Sequence, residues 1–277
     1  MYMKKAIQQM HHEIFYPTVR VRAGRSGGSG TVVYSERYKG DAHTYIITNH
    51  HVIQKCIKIE KKWDPILKKK IDKEILDTVQ VEYFKYNNYS HCIGSYAVEA
   101  DIVAYSEVEG GEDWALLRAR DVENLAKNVA YLYPLKKLDD IHIFDKVYAC
   151  GASLGHPPIA TEGHISYMDD EIAHHKYWMS TAQTIFGNSG GAMYRWSSRR
   201  KKHEYIGVPS RISVRLHGFS QDAITHMGYF IPLDRIYNLL KRNNYEFIYN
   251  TDVSMEKCLD DQKTHNRKLV STTDDED

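Results

Sequence analysis

The sequence lacks any stretch apolar enough and long enough to span a bilayer, and its first residues, MYMKKAIQQMHHEIFYP, carry charges and glutamines where a secretory leader needs an uninterrupted apolar run. This predicts a cytoplasmic protein with no membrane contact. Cysteine is scarce: Cys56, Cys92, Cys150 and Cys258 are widely spaced and form no C-x-x-C pair, so neither a zinc site nor a disulfide framework is signalled. An excess of one charge is missing too. With a formal net charge of +1 over 277 residues, no bulk basicity argues for nucleic acid. Phenylalanine is rare beside tyrosine, 7 against 21, and together with 17 glycines this leans toward strands and turns over helices. The adjacent histidines His11-His12, His50-His51 and His174-His175 lack the i, i+4 spacing that puts two ligands on one helix face, so no metal and no cofactor is expected.

What is present reads as one folded region between two less structured ends. Residues 1–27 are expected to form an N-terminal arm, with Val19 to Arg22 alternating like an edge strand and Gly24 to Gly30 making a flexible turn. Residues 28–250 carry many short β-branched and aromatic runs separated by turn residues, the pattern of a barrel or sandwich. Two of these runs, Thr31 to Tyr34 and Thr44 to Thr48, flank a hairpin signal, and the second is expected to end at Asn49-His50-His51. The lysine-rich stretch from Gln54 to Asp77 has two readings, a strand by the even spacing of Ile57, Ile59 and Trp63 or a helix capped at Asp64-Pro65 with Leu67, Ile71 and Ile75; a hairpin extending two barrel strands is favoured, its lysines a solvated face. Pro232 to Arg242 shows apolar residues at helical spacing with Lys241 and Arg242 in the last turn, which predicts one closing helix. From Thr251 the apolar residues thin out, so 251–277 are expected to be a disordered acidic tail.

Chemistry enters at Phe186-Gly187-Asn188-Ser189-Gly190-Gly191, a serine bracketed by glycines before the strand Ala192 to Trp196. Glycines allow backbone angles closed to other residues, and such a turn can aim the amides of Gly187 and Ser189 at one point beside the hydroxyl, as an oxyanion requires. The same hexapeptide also fits an ordinary glycine-rich β-turn. A serine hydroxyl is a weak nucleophile near neutral pH, so acyl transfer needs a histidine within hydrogen-bond reach and a carboxylate to fix its tautomer. Position singles out Thr48-Asn49-His50-His51-Val52 at the end of an early strand and Glu112-Asp113-Trp114-Ala115-Leu116-Leu117 at the start of another.

T-N-x-H-V, D-x-A-L-L and G-N-S-G-G in that order resemble the trypsin-like serine peptidases, above all their HtrA-like and viral branches, over roughly Gly28 to Leu240. Cys150-Gly151-Ala152-Ser153-Leu154-Gly155, Thr161-Glu162-Gly163 and Met227-Gly228-Tyr229-Phe230-Ile231-Pro232 extend the resemblance. It implies an all-β chain of two six-stranded antiparallel barrels of the chymotrypsin type with a C-terminal helix, the cleft between the barrels hydrolysing polypeptides through an acyl-enzyme. By the family's pattern His51, directly before the valine, is the base; Asp113, one residue before Ala-Leu-Leu, orients it; Ser189 is the nucleophile. Asn188 stands where zymogen relatives carry an aspartate that pairs with a cut N-terminus, so that activation route is not expected. Some forty residues follow the family's final Phe-Ile-Pro, too few for the PDZ domain usual in HtrA-like proteins.

The same likeness places the base of the primary pocket at Gln183, six residues before the nucleophile, with Gly228 to Phe230 as its far wall and Val208 and Ser210 on the substrate-pairing strand. None is charged, so cleavage is expected after small or medium uncharged residues, because an unpaired buried cation costs several kcal/mol. Pro209 lacks the amide hydrogen that an extended substrate would use. Two alternatives stay open: an inactive protease fold that binds peptides by strand addition, and a virion or assembly protein with self-processing activity. The oligomeric state is not legible.

Overall fold

In a computed structural model of the chain, residues 2–24, 26–65, 68–106, 112–217 and 220–271 are described. Helix α1 (Tyr2–Met10) runs into a π-helical turn (His11–Phe15), and then eight strands follow: β1 (Thr18–Ala23), β2 (Ser26–Tyr38), β3 (Asp41–Thr48), β4 (Ile57–Asp64), β5 (Lys69–Leu76), β6 (Val79–Asn87), β7 (His91–Tyr105) and β8 (Ala115–Ala119). The short helix α2 (His50–Ile53) interrupts them after β3. Strands β9 (Lys146–Gly151), β10 (Ile159–Ile172), β11 (His175–Ser180), β12 (Ala192–Ser197), β13 (Lys202–His217) and β14 (Ser220–Pro232) precede α3 (Leu233–Arg242) and α4 (Met255–Ser271).

The strands close into two antiparallel six-stranded barrels, ordered β1-β2-β3-β8-β7-β6 and β10-β11-β14-β13-β12-β9. The expected architecture is therefore present. Its cause can be read along β3, where every residue from Ala42 onward is buried. Alternate side chains of a strand point to opposite faces. Ile46 goes inward with Leu117, Val19, Val21 and Val81 to fill the first barrel. Tyr45 and Ile47 go outward with Leu116 and Trp114 into a core shared with the second barrel and with Tyr245 and Phe247 of the C-terminal segment. A strand sandwiched in this way reads as a continuous apolar run and ties the two barrels together.

Four expectations are corrected. The segment 1–27 is no arm: β1 is paired on both sides, to β2 and β6, with Val19 and Val21 fully buried, and Ile14 sits in the shared core. Its charged outward residues, Arg20 and Arg22, gave it the look of an edge. Gly27 to Gly30 form no flexible turn but lie in β2, where a Cβ on Gly28 would fall 2.6 Å from Val52 Cγ2 and one on Gly30 2.7 Å from Ile46 Cγ2. These glycines serve close packing. The lysine-rich hairpin forms, but as a separate two-stranded sheet of β4 and β5, with no barrel strand extended. Finally, 251–271 is not a disordered tail. Met255 and Cys258, one helical turn apart on α4, are buried in the shared core, a pairing hidden by the charges around them. Residues 272–277 lie outside the described residues.

All four cysteines are free thiols, and burial pushes that of Cys150 up to about 12. Among the described residues no helix is long and apolar enough to cross a membrane, and no group of three His, Cys, Asp or Glu side chains is placed to hold a metal.

Candidate active site

Strand β3 ends at Thr48, one step earlier than expected, and Asn49 is extended before the chain turns into α2. That turn separates the two adjacent histidines. His50 goes inward, 6% exposed, its ring tilted against Tyr105 with centroids 5.3 Å apart, and burial lowers its pKa. His51 stays exposed, and its Nδ1 lies 2.9 Å from both carboxylate oxygens of Asp113. A carboxylate only accepts, so this contact puts the proton on Nδ1 and leaves the Nε2 lone pair of a neutral ring free.

Asp113 is held from several sides. Its Oδ1 accepts the His51 backbone N–H at 3.0 Å, its carbonyl accepts Asn49 Nδ2 at 2.7 Å, and Ser210 Oγ donates to its Oδ2. Its backbone sits at φ 53°, a left-handed conformation that costs a non-glycine residue free energy and persists where surroundings enforce it. Burial acts to raise the Asp113 pKa, but the hydrogen bonds and charge of His51, then the Ser210 hydroxyl, outweigh it and hold the carboxyl below its ordinary range. Glu112 faces elsewhere: Arg242 of α3 donates to both its oxygens at 2.7 and 2.9 Å.

The serine turn is fixed by contacts from both barrels. Ser29 N–H donates to Ser189 O at 2.7 Å, Ser29 Oγ donates to Gly187 O at 2.5 Å, and the same Oγ accepts from Ala152 N at 2.7 Å. Asn188 Oδ1 accepts from Ser153 Oγ at 2.8 Å and from Ile185 N at 3.0 Å, so the turn is tied down without a newly cut N-terminus. Gly187 has φ +98°, and a Cβ there would strike Leu154 N at 2.7 Å; a Cβ on Gly190 would come within 2.3 Å of Thr48 Oγ1 and 3.1 Å of Asn49 N. Only glycine allows the turn to press against the loop that bears His51. Phe186 O accepts from Leu154 N, while among the described residues the Gly187 and Ser189 amides have no hydrogen-bond acceptor. The Ser189 hydroxyl donates to Ser210 O at 3.4 Å.

Of the residues expected around the substrate, Ser210 is adjacent to both Asp113 and Ser189, through a β-bulge between Pro209 and Arg211 that re-aims its side chain out of the barrel. Val208 and Phe230 are fully buried in the shared core, Phe230 edge-on to Trp178. Gln183 is exposed and its carbonyl accepts from Thr161 Oγ1 at 2.7 Å. The residue packed on Gly228 is instead Thr184, whose Oγ1 would be 2.1 Å from a Cβ placed there and which is buried with no partner. Ser29 and Thr184 were missed by sequence reasoning. The G-S-G around Ser29 was the available signal, obscured because it reads as a loop.

A cleft between two closed barrels, with a His–carboxylate pair on one side and a glycine-bracketed serine turn on the other, defines the class of two-barrel peptidases. The chain belongs to the trypsin-like peptidase domain family, whose model matches residues 28–199. No curated protein matches it. Among solved structures it is similar to Deg5 at 18% identity and TM-score 0.55, over 86% of this chain and 92% of that one. It is also similar to a serine endoprotease from Yersinia pestis at 20% identity and TM-score 0.54, over 85% of this chain and 65% of that one. A third similar structure is the HtrA-type protease AlgW with a tripeptide, at 16% identity and TM-score 0.56, over 87% of this chain and 64% of that one. At these identities the likeness concerns the fold, and the chain spans less than two thirds of the latter two.

Proposed function

We propose that the protein is a serine endopeptidase acting on polypeptides through a His51–Asp113–Ser189 triad. The observation that carries this reading is the carboxylate of Asp113 accepting both the ring Nδ1–H and the backbone N–H of His51, beside a serine turn with two unengaged amides. Attack begins when the Ser189 hydroxyl turns from the Ser210 carbonyl toward His51 Nε2, gives up its proton there and bonds to the scissile carbonyl carbon. The carbonyl π electrons move onto oxygen, which the Gly187 and Ser189 amides stabilise. Collapse breaks the C–N bond, and the imidazolium returns the proton to the leaving amine. Water then repeats the sequence on the acyl-enzyme, with His51 as base. Asp113 stays ionised and stabilises the imidazolium.

Specificity in this reading is set by a pocket around Gly228 with the Thr184 side chain filling part of it. Cleavage follows small or medium uncharged residues. The test is hydrolysis of a denatured protein and of a peptide library by the chain and by Ser189→Ala, with products read by mass spectrometry. Turnover lost in the variant supports the reading, and cuts falling mainly after Arg, Lys, Asp or Glu contradict the pocket assignment.

A further inference from the structure

A groove of about 490 Å³ leaves the serine turn on the side away from β13, running past Gly187 and Gly28. β13 carries Ser210, whose carbonyl already meets the Ser189 hydroxyl, so the acyl half of a substrate lies along that strand and the leaving-group half enters this groove. Among the described residues its charged lining is Arg20 and Arg22. Both stand on the outward face of β1, since Val19 and Val21 take the inward one.

The two arginines share a single counter-charge. Arg20 donates to Glu82 Oε2 through Nε at 2.7 Å and to the carbonyl of Gly155, and only 15% of its side chain is exposed. Arg22 Nε lies 3.2 Å from the same oxygen, and 51% of its side chain is exposed. Among the described residues no hydrogen bond engages its two terminal nitrogens, so the described lining carries one positive charge beyond what Glu82 balances, with a half-exposed guanidinium fork. Across the groove, Leu154 and Phe186 are 65% and 67% exposed, two bare apolar side chains flanking the oxyanion turn.

The register gives the distance. Ser189 O is bonded to Ser29 N, Ser29 is paired with Arg20, and Arg22 is paired with Gly27, two residues further on. Two strand residues cover about 6.6 Å, which is also the reach of two residues of an extended peptide. We infer that the leaving-group side of the cleft selects polypeptides with an Asp or Glu at the second residue after the scissile bond, held by Arg22, with an apolar neighbour against Leu154 and Phe186. Arg20, fixed by Glu82 and Gly155, serves as the rigid wall. The inference rests on the peptidase reading for its direction along the cleft.

The experiment uses a library of octapeptides randomised on both sides of the cut. Cleavage products from the chain are expected to show Asp and Glu over Ala at the second leaving-group position by roughly fivefold, the scale of one partly exposed charge pair. Arg22→Ala brings that ratio toward one, and Arg22→Glu inverts it in favour of Lys and Arg. In parallel, capture of the uncleaved library by Ser189→Ala protein reads binding without turnover, and the acidic enrichment there is lost in Ser189→Ala/Arg22→Ala. Products or captured peptides with equal acidic and neutral frequencies, or enrichment untouched by Arg22→Glu, overturn the inference. Acidic enrichment on capture without any turnover would uphold it while removing the peptidase reading.

Discussion

Ser29, Ser210 and His50 each make contacts whose loss has a distinct signature. Ser29 Oγ joins Gly187 O to Ala152 N, so Ser29→Ala loosens the turn that presents the oxyanion amides without touching the triad. A hydrogen bond of this kind contributes about 1.4 kcal/mol, and the expected loss is roughly tenfold in kcat with KM little changed, read from steady-state kinetics. An unchanged kcat would show that the turn holds itself. Ser189→Ala and His51→Ala each remove roughly 10⁴- to 10⁶-fold of kcat, and the double variant is little worse than either, because triad members act as a unit. His50→Ala retains most turnover, since that side chain packs against Tyr105 and, among the described residues, makes no hydrogen bond to Asp113. Equal damage at His50 and His51 would contradict the assignment of the base.

At the scale of elements, α4 and the β4–β5 hairpin make opposite contributions to stability. Met255 and Cys258 anchor α4 to the shared core, so Met255→Asp, which buries an unpaired charge there, lowers unfolding free energy by about 3 kcal/mol in urea titration. A change within a few tenths would mean the helix does not dock. The hairpin pairs with no barrel strand, and its neck closes through Asp77 N–H to Cys56 O at 2.8 Å, so replacing 58–75 by a short glycine linker leaves the melting temperature within a few degrees. The motifs bearing His51, Asp113 and Ser189 were legible in the sequence because each combines a strand period with a residue type the chemistry demands. β1 and α4 were not, because each buries only part of its residues under a charged outer face, and composition averages the two. Around Gly228 the packing of Thr184 was not legible, because motif spacing fixes where a strand lies without saying which neighbouring side chain fills the space beside it.

For the whole molecule, pH tests the account through groups buried in both barrels. Burial first, and for His43 the charge of Arg118, hold His43 and His50 below the ordinary histidine value of about 6.5. The unfolded chain then binds more protons, so stability is full above that value and falls as pH drops below it. Glu13, Glu82 and Asp113 have lowered values despite burial, through His203, through Ser95 and Arg20, and through His51 respectively. Their contribution is present above about pH 4.5 and is lost as pH falls through their folded values. Urea midpoints should therefore decline gently from pH 7 to 5 and steeply below 4.5, with the upper limb flattened in His50→Gln. The central claim is that both barrels are assembled around an activated serine, and the most direct measurement is covalent labelling by a fluorophosphonate probe followed by peptide mapping. The account predicts a single adduct on Ser189, absent from His51→Ala, whereas no adduct at any pH, or one elsewhere in the chain, would contradict it.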